Sequence, residues 1–100
     1  MLSKIPIMFV ETMGKEDPEK QILRAGIIAE LDAINLYEQM AAMTQDNDTQ
    51  KILLDIAKEE KTHVGEFLTL LQRKDREQEA ELKEGKKEVE KLTTGKVGNG

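Results

Sequence analysis

From Pro18 to about Gln45 the apolar residues return at helical spacing, with Leu23, Ile27, Ile34, Tyr37, Met40 and Ala41 on one stripe. Asp17-Pro18 ahead of them reads as a cap followed by proline at the first helical position. At the standard rise such a helix is roughly 40 Å long. Gln45-Asp46-Asn47-Asp48 breaks the pattern, and Asn47 with Gln50 three positions on resembles a capping box. A second helix is expected from about Asp48 to Arg73, with Leu53, Ile56, Ala57, Val64, Phe67, Leu70 and Leu71 on its inner face. So short a loop leaves the two helices as antiparallel neighbours.

Asp75 opens a third segment, to about Thr93, dominated by Glu and Lys. Spacings such as Glu79–Lys83 support a helix there. Its apolar residues Leu82, Val89 and Leu92 make a narrow seam with Gly85 in it, which suits docking better than a core. The organisation expected is an N-terminal arm over residues 1–17, a helical domain over 18–93, and a flexible tail or linker start over 94–100. In the arm, Ile5, Ile7, Met8 and Phe9 would lie on a neighbouring surface.

The fold class is therefore all-α: two long antiparallel helices and a short C-terminal one. A hairpin of this kind leaves a broad apolar face open to water, and a chain of 100 residues so built needs a partner, a metal or a disulfide. With no cysteine, disulfides and thiolate sites drop out, leaving oligomerisation and metal. A net charge of -5 argues against a nucleic-acid backbone as partner. No segment approaches the ~20 apolar residues of a membrane span. Pro6 interrupts any leader-like run at the N-terminus, so a cytoplasmic location is expected.

The candidate chemistry lies where polar residues interrupt the stripes. Glu30 sits between Ile27 and Ile34, and Glu60 and His63 interrupt the inner face of the second helix. A carboxylate on an apolar face loses hydration and must be protonated, paired or bound to a metal. Residues three apart on a helix are neighbours, so Glu60 and His63 can hold one ion without backbone distortion. Mixed carboxylate and imidazole ligation suits iron or manganese, with zinc able to compete. Carboxylate-bridged di-iron bundles draw a Glu from each of two helices and a Glu-x-x-His from each of two more. One chain encodes half of that set, and two copies about a twofold axis would supply the whole. Taken singly, Glu-x-x-His also arises by chance in a Glu-rich helix, and Glu30 alone reads as a rim carboxylate. Tyr37 is most simply a core aromatic with a polar tip. Glu59, Glu66 and Asp32 read as solvated charges, and Met40 and Met43 as core filler.

The runs Ile27-Ile28-Ala29-Glu30-Leu31-Asp32-Ala33-Ile34-Asn35-Leu36-Tyr37-Glu38-Gln39-Met40 and Lys58-Glu59-Glu60-Lys61-Thr62-His63-Val64-Gly65-Glu66-Phe67 strongly resemble the encapsulated ferritins. The likeness is closest to the archaeal type whose ferritin-like domain precedes an encapsulin shell protein. It covers about Lys20 to Leu92. This resemblance implies a half-ferritin protomer that completes a four-helix bundle by dimerisation, in a homo-oligomer that forms a decameric ring. It implies a ferroxidase whose di-iron centre, shared between two subunits, takes Glu30, Glu60 and His63 from each. Tyr37 falls at the family's tyrosine beside the centre. The implied partner is an encapsulin shell protein, and the implied location an encapsulin nanocompartment in the cytoplasm, where oxidised iron is stored. Some family members place two carboxylates around the first ligand to admit iron. Ala29 stands at one of those positions, which leaves Asp32 as a weak uptake-site candidate. Residues 93–100 carry no recognisable shell-targeting peptide, which suits a domain cut from a shell fusion or a chain that is not encapsulated.

Two other readings compete. A rubrerythrin-like peroxidase could use the same ligands, although without cysteine the rubredoxin iron of complete rubrerythrins is missing. A non-enzymatic helical oligomerisation or cargo module would hold a purely structural metal, or none.

Overall fold

The computed structural model describes residues 18–95, and the expected N-terminal arm lies outside them. Within the described residues the chain is three helices and no strand: α1 (Pro18–Met43), α2 (Asn47–Lys74) and α3 (Arg76–Thr94). Pro18 does begin the first helix, where its fixed φ suits the first turn and its missing N–H costs nothing. The helix ends at Met43, two residues before the expected boundary, with a last bond from the Thr44 N–H to the Met40 carbonyl (3.1 Å). Met43 is exposed there and fills no core.

The turn is capped one residue earlier than Asn47–Gln50 suggested. Asp46 is the N-cap of α2, and its carboxylate accepts both the Thr49 N–H (2.9 Å) and the Thr49 hydroxyl (2.7 Å). Those two donors hold the Asp46 carboxyl below the ordinary aspartate range, the hydroxyl contributing most. Gln50 instead donates to the Ala41 carbonyl across the turn (3.1 Å), which satisfies an acceptor orphaned at the end of α1. The hairpin is thereby locked from both sides.

α1 and α2 pack along their length, burying Leu23, Ala25, Ile34 and Ala41 of the first and Ala57 and Leu71 of the second. Ala25, Ala41 and Ala57 alternate with the larger Leu23, Ile34 and Leu71 along that seam. At 19 Å in the thinnest direction the chain is two helices thick, and the described residues enclose no interior that could hold a mineral.

Asp75 ends α2 and begins α3. Its backbone N–H reaches the Leu71 carbonyl (2.8 Å), and its carboxylate accepts the Gln78 N–H (3.0 Å) and the Arg24 guanidinium (2.8 Å). The Gln78 bond, with Lys20 and Arg24 nearby, pulls the Asp75 carboxyl down from its ordinary value against the opposing effect of desolvation. α3 touches α2 but buries no residue, and Leu82, Val89 and Leu92 are exposed. Glu79 pairs with Arg76 (3.0 Å), at i,i+3.

Candidate metal centre

The antiparallel pairing sets the centre of α1 against the centre of α2. Glu30 therefore meets Glu60 and His63, and these three are the potential metal-holding group among the described residues, with donor atoms all within 4.8 Å of one another. His63 Nδ1 lies 3.3 Å from Glu30 Oε2 and 3.4 Å from Glu60 Oε2. As hydrogen bonds both separations are long, outside the usual ~2.7–3.2 Å for nitrogen and oxygen. One imidazole nitrogen also carries at most one proton, so it cannot donate well to both carboxylates. As ligand separations they are apt. With metal–donor bonds of ~2.0–2.2 Å, two donors on one ion at tetrahedral to octahedral angles stand roughly 2.8–3.6 Å apart. The donor set fits a divalent first-row metal.

The site is half open. The two glutamate side chains are 19% exposed and the His63 side chain 43%. Three side chains fall short of the four to six donors such an ion takes. Around the opening, apolar residues share a face with the donors on each helix, at steps of four or three residues once the donors are counted. Ile22, Gly26, Ala33, Tyr37 and Met40 line α1, while Ile52, Ile56, Phe67 and Leu70 line α2. Ile22, Ile52 and Leu70 of this face are exposed, so the incomplete donor set lies in the middle of an uncovered apolar face.

The other sequence candidates lie outside the cluster. Tyr37 is half-buried two helical turns past Glu30, on the same stripe. Asp32 is about 160° round the helix from Glu30 and half-buried. Lys61, next to Glu60 in the chain, pairs with Glu38 instead (3.1 Å). Sequence reasoning placed Phe67 on the inner face but missed the contact it makes at the end of the site. The Phe67 ring lies against Gly26 one turn from the donors.

The EncFtn-like family model matches residues 8–86. The chain is 63% identical over 73 residues to a ferritin-like–encapsulin shell fusion protein of Pyrococcus furiosus, covering 73% of this chain and 21% of that protein. It is 40% identical over 73 residues to the encapsulin nanocompartment cargo protein EncC of Myxococcus xanthus, covering 73% of this chain and 56% of the other. The chain thus spans about a fifth of the first relative and just over half of the second. Its structure matches the crystal structure of the encapsulated ferritin domain from Pyrococcus furiosus with a TM-score of 0.70 at 53% identity, over 89% of this chain and 84% of that one. The match extends the likeness from the motifs to the helical frame that carries them, and the chain belongs to the EncFtn-like family, that of the encapsulated ferritins.

Proposed function

We propose that the chain is a ferroxidase of the encapsulated-ferritin type, acting on Fe(II) at a di-iron centre formed between two copies. The observation that carries this reading is the half-complete donor set, Glu30, Glu60 and His63, at metal-ligand separations on an open apolar face. A twofold axis across that face would bring two such sets together. The combined set of four glutamates and two histidines is that of carboxylate-bridged di-iron bundles.

Each residue has a distinct task. His63 offers Nδ1, the nitrogen turned toward both carboxylates, as the terminal donor to one ferrous ion. Glu30 and Glu60 would hold the ions with anionic oxygens that offset their positive charge. Oxidation adds charge to each iron, so anionic oxygen donors favour the ferric product and lower the driving force the oxidant must supply. The two ferrous ions would be the electron donors, one electron each, enough to reduce dioxygen to hydrogen peroxide or peroxide to water, with uptake of two protons in either case. The apolar stripes of both copies would shield the centre from bulk water. Tyr37, on that stripe, would stand beside the centre.

The product needs a container, because a molecule two helices thick holds none. An encapsulin compartment in the cytoplasm is the natural one, given that one relative is a shell fusion and another an encapsulin cargo protein. The exposed seam of α3 would join neighbouring copies into the ring the family resemblance implies, with Asp32 a candidate for guiding iron inward.

The test is stopped-flow absorbance of protein loaded with Fe(II) without oxygen and then mixed with air. Ferric absorbance should grow well ahead of the buffer rate, and His63→Ala should fall back to it. Growth no faster than in buffer, or growth indifferent to His63→Ala, would remove the ferroxidase reading.

A further inference from the structure

An interior helical glycine is unfavourable relative to alanine unless something needs its bare Cα. Gly65 and Gly85 have nothing within 4 Å of where a Cβ would stand. Gly26 differs. A Cβ there would meet three atoms of the Phe67 ring, at 3.2, 3.2 and 3.3 Å, tighter than ordinary van der Waals contact. The three ring atoms stand almost equidistant, so the ring lies with its face toward the α1 backbone.

This contact is next to the donors. Gly26 is four residues before Glu30, and Phe67 four residues after His63, so the ring and the donor layer are about one turn, ~6 Å, apart along both helices. A ring seated flat on a glycine brings the helices closer than any side chain would allow. A Cβ would push ring or helix back by a few tenths of an ångström, and the same displacement would open the Glu30–His63 gap. Coordination is sensitive on that scale, because ligand bonds tolerate about ±0.2 Å.

We infer that Gly26 is a positioning residue for the ion site: by letting the Phe67 ring rest on the α1 backbone, it sets the gap across which Glu30 and His63 meet. The inference rests on the metal-site reading above and adds a residue to it that holds no ion.

The experiment is a Co(II) titration of the full chain, read by the visible band that reports coordination geometry, with melting curves recorded alongside. The variants are Glu30→Ala, Gly26→Ala, and Gly26→Ala combined with Phe67→Leu. Gly26→Ala should weaken Co(II) by about tenfold, as loss of a supporting contact does, and shift the band. The double variant should recover most of the affinity that Gly26→Ala loses, and the parent band, even where the single variant melts early; what stays lost is the share of the open apolar face that Phe67→Leu removes. A loss below about threefold, or one that Phe67→Leu does not reverse, would overturn the inference while leaving the site standing. A parent chain with no Co(II) affinity, or with affinity unchanged by Glu30→Ala, would instead remove the metal-site reading and this inference with it.

Discussion

If two copies close over the site, the apolar residues beside it become interface, and their substitution should weaken metal binding without touching a ligand. Ile52 tests this most cleanly. It lies on the stripe of His63, three turns away, and is 61% exposed in the single chain. Ile52→Ala removes three carbons, worth about 0.8 kcal/mol each on full burial. Scaled by the surface still to be buried, the loss is about 1.5 kcal/mol per copy. A twofold interface counts the change twice, so pairing weakens by about 3 kcal/mol, roughly a hundredfold in the association constant. Leu54, on the opposite side of the same helix and 47% exposed, is the control. Sedimentation equilibrium with and without Fe(II), under nitrogen, reads both variants. Ile52→Ala should lose association and Fe(II) affinity together, while Leu54→Ala keeps its affinity for Fe(II). Equal behaviour of the two would refute a shared site on this face.

Further outcomes follow from the same geometry. Leu71→Ala empties a fully packed position in the helix seam and should cost about 2–5 kcal/mol in chemical denaturation. Gly85→Ala, with open space around it, should stabilise the chain by about 0.5–1 kcal/mol in the same assay, as helix propensity requires. The lowered Asp75 carboxyl contributes stability that is present above the ordinary aspartate value of 3.8 and lost as pH falls through its lowered folded value. The Gln78 amide, bonded to that carboxylate, should therefore titrate by NMR below 3.8, and a midpoint at or above it would contradict the capping geometry.

Much of this was legible in the chain because helical structure is written locally. Leu23, Ile34, Ala41, Ala57 and Leu71 follow from periodicity, and all are buried. Glu30, Glu60 and His63 stood out as polar breaks in those stripes, and an antiparallel hairpin brings such breaks together. The turn was misread by one residue because Asp46–Thr49 and Asn47–Gln50 are overlapping capping patterns. The ionised carboxylate of Asp46, with two donors on Thr49, prevails over a neutral amide. Leu70 belongs to the inner stripe by spacing yet is 43% exposed, because spacing places a residue on a face without saying what covers it. Arg24–Asp75 and Gly26–Phe67 were not legible at all. Both join residues more than 40 positions apart, and with 35 charged side chains in the chain no local pattern selects one pair.

A metal centre shared by two chains ties iron binding to pairing. Native mass spectrometry of the chain with Fe(II), kept free of oxygen, tests it most directly by reading assembly and metal count in one spectrum. Iron should appear only on even-numbered assemblies, saturating at about one per chain, and not at all on Glu30→Ala. A monomer that carries its full iron load, or a limit near two per chain, would contradict a shared centre.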